Sequence, residues 1–235
     1  MSDNKIKIAL FADVLEENFD GVSVTLHKIL KNAPQDQFEY LVITPHPPKD
    51  FSVIPFKIHV TRYTELPFQK GYRLGLPGKK EEELLNEFKP DLIHFTSPSR
   101  YGKFAVKYAK KNSIPVMNIY HTHFPAYIRY YIGRIGNYLI GWLVNYFVMW
   151  YYKHADLTLV PTKPIKKDLM KLGVPKEKMK VWGRAIETKS FDPSFRDTGF
   201  FNDRLPEENR KILFVSRLIK EKNMSSIFHT YELVK

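Results

Sequence analysis

Cysteine does not occur among the 235 residues. Its absence excludes a disulfide framework and any thiolate metal site, and makes a reducing compartment the simplest home. A secretory leader is not expected from the start, MSDNKIKIALFADV, which carries an acidic residue early and an apolar stretch too short for a signal peptide. The cytoplasm is therefore the expected location. Internal repeats and low-complexity segments are also lacking, which argues against a solenoid or a disordered tail. The glycine pattern GxGxxG does not appear, so a dinucleotide site has no support.

What is present points to a globular chain with an anionic partner. A hydrophobic content of 43% is enough to bury a sizeable core. The net charge of +12 fits nucleic acid, a phosphorylated small molecule or an acidic membrane surface. Nucleic acid is the weakest of these, because no recognition motif occurs and the aromatics fall in one hydrophobic block instead of interleaving with Lys and Arg.

Strand and helix patterns alternate along most of the chain. KIKIALFADV reads as a buried parallel strand and is followed by a helix from Gly21 into VSVTLHKILKN. Then come strands FEYLVITP and FKIHVTRY, helix KKEEELLNEF, strand DLIHFTSP, helix KFAVKYAKKN, strand PVMNIYHTH, long helices, strand LTLVPT, helix PIKKDLMKLG and strand MKVWGRA. Parallel strands need helical crossovers, so this order predicts an α/β fold with a doubly wound, mostly parallel, Rossmann-like sheet. The pattern lapses over residues 192–209, a Pro-, Asp- and Asn-rich stretch that reads as a linker, and KILFVSRL then starts a new strand.

In such sheets ligands sit beyond the carboxyl ends of the strands. The residues there are Asp20 and Gly21, Ser97, His121 and His123, Thr162, and Gly183 with Arg184. Gly21 stands at the mouth of the first helix, where exposed amides suit a phosphate or a sugar hydroxyl. His121 and His123 can hydrogen-bond a substrate or shuttle a proton near neutral pH; no third ligand at a recognisable spacing favours zinc. Arg184 either pairs with Glu187 or faces the cleft, and spacing does not separate the two. Arg217 and Lys222, five apart just past a strand end, are cations suited to clamping a diphosphate without a metal.

Taken in order, DGVSVTLHKIL, KPDLIHFTSP, IYHTHFPAYIRYY, HADLTLVPT, VWGRAIETKSFDP and FVSRLIKEKN resemble the landmarks of the family 4 glycosyltransferases of GT-B fold. Within that family the resemblance is to the branch containing sulfoquinovosyl- and mannosyl-transferases that act on lipids. It implies an acceptor-binding N-terminal domain over residues 1–191, a linker over 192–209, and the first strand and helix of a donor domain over 210–235. It also implies a retaining transfer from a nucleotide-diphosphate-sugar to a lipid or glycan, with no cofactor or metal. His121 matches the family's active-site histidine, Gly21 its first-loop glycine, and Arg217 and Lys222 its pair on the donor diphosphate; Asp20, His123, Gly183 and Arg184 line the acceptor side. Asn223 stands where the family often has glycine, and residues 185–187 replace a commoner Gly-Val-Asp. The family's pair of glutamates seven residues apart does not occur after FVSRLIKEKN, so the second domain is expected to be truncated and the chain alone to bind donor poorly and not to turn over. A non-catalytic binding module or membrane-surface adaptor derived from such a domain is the alternative.

The most unusual composition is YIRYYIGRIGNYLIGWLVNYFVMWYYKHADL. About 18 uncharged residues lie between Arg134 and Lys153, at the lower limit of a bilayer span. Asn145, two internal glycines and the strand that follows at once argue against spanning. Ile135 to Tyr152 then either packs in the core or lies in a membrane interface with Trp and Tyr at headgroup depth, and a peripheral contact with an anionic membrane is expected.

Overall fold

The computed structural model describes residues 5–66, 69–122, 142–143, 146–183, 188–197, 199–200, 213–216 and 222–234. The chain divides into two compact units, Met1–Arg184 and Ala185–Lys235.

The first unit is built on parallel strands β1 (Ile6–Phe11), β2 (Phe38–Thr44), β3 (Lys57–Val60), β6 (Leu92–Phe95), β7 (Val116–Ile119), β8 (Leu157–Val160) and β9 (Met179–Val181). They form a seven-stranded sheet in the order β3-β2-β1-β6-β7-β8-β9. Every pairing in it is parallel, as Ile8 opposite Tyr40 on one side of β1 and opposite Leu92 on the other illustrates. The direction of winding reverses between β1 and β6, so the topological switch point of the sheet lies there. This is the Rossmann-like doubly wound architecture expected from the strand and helix alternation.

Alternation along the strands divides the core. Ala9 and Phe11 of β1, with Ile93 and Phe95 of β6, face a layer containing Leu85 of α2 (Lys79–Phe88) and Tyr101, Ala105 and Ala109 of α3 (Arg100–Lys111). Ile8 and Leu10 point to the opposite side, against Leu26 and Leu30 of α1 (Gly21–Asn32). Strands buried on both faces must be apolar throughout, which is why IKIALF and FEYLVIT read as continuous runs. A third cluster joins Val148, Met149 and Tyr152 of α4, residues 146–154, to Leu169 of α5 (Lys163–Lys171) and to Val160.

The sequence reading took FKIHVTRY as one strand. The structure ends β3 at Val60 and starts a separate antiparallel hairpin, β4 (Tyr63–Leu66) with β5 (Gln69–Gly75). Its base is closed by one carboxylate. Glu81 accepts hydrogen bonds from Thr61 Oγ1 at 2.6 Å and from the Gly78 amide at 2.8 Å, one on each side of the hairpin, and lies 3.1 Å from His59 Nε2. Burial pushes the Glu81 carboxyl upward, but these donors together outweigh it and hold the group below its usual range.

In the second unit, short 3₁₀ turns occur at Thr188–Phe191 and Pro193–Phe195, and α6 runs from Met224 to Val234. Residues 213–216 of the expected strand KILFVSRL carry no strand pairing, and Leu213 and Val215 are exposed. A strand exists only through ladder partners, and those residues have none among the described residues. Asn223 takes a φ of 50° just before α6, a left-handed conformation that Asn tolerates better than most side chains, so it can replace the family's glycine there.

Candidate active site at the carboxyl edge of the sheet

On three adjacent strands the second residue past the strand end is polar: Asp13 after β1, Ser97 after β6 and His121 after β7. Neighbouring strands lie about 4.8 Å apart, so these positions share one short stretch of the sheet's carboxyl edge. His121 is half-buried. Ser97 and His121 stand among the strand-end residues picked out in the sequence, whereas Asp13 does not.

Asp13 is the organising group. Its Oδ2 accepts from Thr96 Oγ1 at 2.8 Å and from Ser97 Oγ at 2.7 Å, and its Oδ1 accepts from Ser99 Oγ at 3.0 Å. The Asp13 amide donates to Thr96 Oγ1, and Ser99 Oγ also accepts from the Gly102 amide as the cap of α3. One carboxylate thus ties the loop after β1 to the loop after β6 across the switch point. Burial raises the Asp13 carboxyl above its ordinary value, and the hydroxyls of Ser97, Thr96 and Ser99 only partly offset that.

Tyrosines surround this carboxylate. Tyr151 donates to the Ser99 carbonyl at 2.7 Å, and burial together with the Asp13 charge pushes its hydroxyl up to about 12. Burial and the nearby charges of Asp13 and Asp20 likewise raise Tyr72, which sits on β5. These phenols therefore stay protonated. The hairpin reaches this edge through His46, whose Nε2 accepts from the Arg73 amide at 2.6 Å. That bond requires a ring nitrogen without a proton, and burial followed by the Arg73 charge lowers the imidazole's pKa, favouring the neutral form. The rings of Phe19, His46 and Tyr72 lie 5.4 to 6.2 Å apart as an aromatic cluster beside the start of α1.

Asp20 and Gly21 have separate jobs. Asp20 caps α1: its Oδ1 accepts from the amides of Val22 at 2.9 Å and Ser23 at 2.8 Å, while Ser23 Oγ accepts from the Asp20 amide. Its carboxylate is thus committed to the helix start, which is a structural duty that the cleft assignment did not include. A Cβ added at Gly21 would meet nothing within 4 Å, and the same holds at Gly183. Packing demands glycine at neither. At Gly102 it does: a Cβ would strike the Ser97 carbonyl oxygen.

The remaining sequence candidates are distributed differently. Thr162 caps α5 through its Oγ1, which accepts from the Ile165 amide. His123, Arg184 and Arg217 lie outside the described residues. Lys222 is exposed in the second unit, immediately before Asn223. Asp13, Thr96, Ser99, His46 and Tyr72 were missed; the signal for Asp13 was present, since ADV follows β1 as TSPS follows β6.

The sequence model of Glycosyltransferase Family 4 matches residues 19–190, from the loop before α1 to the stretch after β9. The chain belongs to glycosyltransferase family 4. Within the family it is 24% identical over 230 residues to a GDP-mannose-dependent alpha-mannosyltransferase of Mycobacterium tuberculosis (strain CDC 1551 / Oshkosh), covering 94% of this chain and 58% of that protein. It is 36% identical over 115 residues to the sulfoquinovosyl transferase SQD2 of Arabidopsis thaliana, covering 46% of this chain and 21% of the other. Among solved structures, Anabaena HepE in complex with UDP-glucose superposes with a TM-score of 0.54 at 15% identity, covering 80% of this chain and 47% of that one. This family 4 chain therefore spans a little over half the length of the mannosyltransferase that it matches along most of its own length.

Proposed function

We propose that this chain supplies the acceptor side of a retaining glycosyltransferase that moves a sugar from a nucleotide-diphosphate-sugar onto a lipid or glycan. The observation that carries the reading is the family 4 match over residues 19–190 on a sheet whose carboxyl edge gathers Asp13, Ser97 and His121 at the switch point. The names of its relatives, a GDP-mannose-dependent mannosyltransferase and a sulfoquinovosyl transferase, support sugar transfer as the reaction class.

In this reading His121 contacts the sugar near the reacting centre, and Gly21, with open space where a side chain would be, lets a polar ligand approach the backbone at the mouth of α1. Gly183 with Arg184, His123 and the Asp20 backbone line the acceptor side. Arg217 and Lys222 meet the departing diphosphate with two positive charges, so that no metal is invoked. A lipid acceptor would bring the first unit to an acidic membrane surface.

The test is transfer of labelled sugar from GDP-mannose, UDP-glucose and UDP-sulfoquinovose onto a lipid extract, using the protein with a complete donor domain. His121→Ala, Arg217→Ala and Lys222→Ala are each expected to lower turnover by about 10²-fold, as the loss of a group acting on the transition state does. Unchanged turnover in all three would remove the assignment.

A further inference from the structure

Helix α4 has two unlike faces. Val148, Met149, Tyr151 and Tyr152 are buried, which fixes the helix to the sheet. Just before α4 and at its start, Trp142 is 65% exposed, Leu143 48%, Tyr146 72% and Phe147 45%. Trp142 and Tyr146 line one hollow together, which puts these exposed side chains side by side on one patch. Apolar side chains gathered on one patch, unlike scattered ones, mark a surface that meets another apolar phase.

Charge surrounds the stripe. Lys103, Lys107 and Lys110 repeat at i, i+4 and i+7 on α3, all exposed, and Lys103 Nζ lies 5.7 Å from the ring centre of Trp150 on α4. None of the three, nor Lys153, enters a salt bridge among the described residues. Two hollows adjoin along α4, sharing Lys153 and His154. One, of about 530 Å³, is lined mainly by Trp142, Tyr146, Met149 and Trp150. The other, of about 460 Å³, holds Lys110 and Lys178, and its one carboxylate, Asp156, accepts a hydrogen bond from the Val116 amide. An aromatic lane thus ends in a basic one. Trp and Tyr settle at the depth of lipid headgroups and Lys is drawn to acidic headgroups, so the arrangement has the chemistry of an interface with anionic lipid. No helix of the described residues is long and apolar enough to cross a membrane.

We propose that the outward stripe of α4, flanked by the lysines of α3, docks this protein on an anionic lipid bilayer. The choice of a bilayer as occupant rests in part on the lipid-acceptor reading, whereas the stripe and its charge do not. The positive charge favours this partner over a second copy of the chain, whose equal charge would repel it.

Flotation of the protein with phosphatidylcholine vesicles, plain or containing about one-third phosphatidylglycerol, tests the proposal. Binding is expected to the mixed vesicles at low salt, weakly to the plain ones, with a blue shift of tryptophan emission that Trp142→Phe diminishes. Trp142→Ser combined with Tyr146→Ser should weaken partitioning about tenfold or more, and Lys103→Glu combined with Lys107→Glu should weaken it comparably on acidic vesicles only. Phe195→Ser, at an exposed aromatic of the second unit, should change nothing. Unaltered circular dichroism in each variant separates lost docking from lost folding. Failure to bind acidic vesicles at low salt, equal binding by the α4 variants, or a dimer abolished by them in the absence of lipid would each overturn it. Vesicle binding without sugar transfer would remove the enzymatic reading and leave the docking surface standing; transfer without vesicle binding would do the reverse.

Discussion

The carboxyl edge of the sheet and the outward stripe of α4 depart from ordinary burial in opposite directions. At the edge, Asp13 is carried out of water and held by the hydroxyls of Thr96, Ser97 and Ser99. On α4, Trp142 and Tyr146 are left in water with a row of lysines beside them. A buried carboxylate costs stability unless its partners are all in place, so the edge is fixed by many mutual constraints. An exposed aromatic stripe costs the fold almost nothing, because its consequence falls on association. The first arrangement makes a rigid rim and the second an adhesive face.

If that contrast is right, substitutions at the edge should strike stability and substitutions on the stripe should not. The largest effect is expected from Asp13→Ala, which leaves the hydroxyls of Ser97 and Ser99 without their acceptor and Thr96 with the Phe11 carbonyl alone: a loss of about 3 kcal/mol in urea unfolding. Asp13→Asn should cost less and show a pH signature. Burial raises the native Asp13 carboxyl above 3.8, so the native state holds this proton more tightly and the side chain's contribution declines as pH rises through that raised value. The stability gap between the wild type and Asp13→Asn should therefore narrow with rising pH; a gap independent of pH would mean that the carboxylate is not desolvated.

A comparable effect is expected at His94, buried on β6 and lowered by burial to about 4, whose Nε2 has no hydrogen-bond partner among the described residues. The unfolded chain takes up a proton near 6.5 while the native ring stays neutral, so stability is present above 6.5 and is lost as pH falls toward 4, by roughly 3 kcal/mol in total. Unfolding curves of the wild type and His94→Phe across that range should converge and then cross; parallel curves would sink the assignment.

Smaller differences sharpen the same contrast. Gly102→Ala should cost about 2 kcal/mol, since the added methyl meets the Ser97 carbonyl and the α3 cap must shift. Gly21→Ala should be neutral or gain up to about 1 kcal/mol, because the helix prefers Ala and the space is open. If transfer activity nevertheless falls in Gly21→Ala, the open space is there for a ligand. Tyr146→Ser on the α4 stripe should move stability by no more than about 0.5 kcal/mol in thermal unfolding, and a larger loss would mean that the stripe is covered in the folded protein.

The sheet was legible because its signals are local. IKIALF and FEYLVIT announce buried strands by composition, and their alternation with amphipathic helices implies crossovers whatever the details. Asp20 before Gly21 was legible as a helix mouth, although its carboxylate proved to serve the helix cap. The hairpin after β3 was not legible, because TRYTEL differs little from a continuation of β3 and the register break is made by Glu81 gripping Thr61 and Gly78. Asp13 was passed over for a related reason. Its place just past β1 was its one local signal, and the partners that give it a role lie 83 to 86 residues away.

By itself, then, the sequence determined the alternation of parallel strands and helices that makes the main sheet and the family to which it belongs, since each is written in residues a few places apart. The tertiary structure alone decided that Asp13 would be buried while Trp142 and Tyr146 stayed exposed. Burial is a property of what packs over a residue, and for Asp13 those groups come from another strand and its helix, on the far side of the switch point.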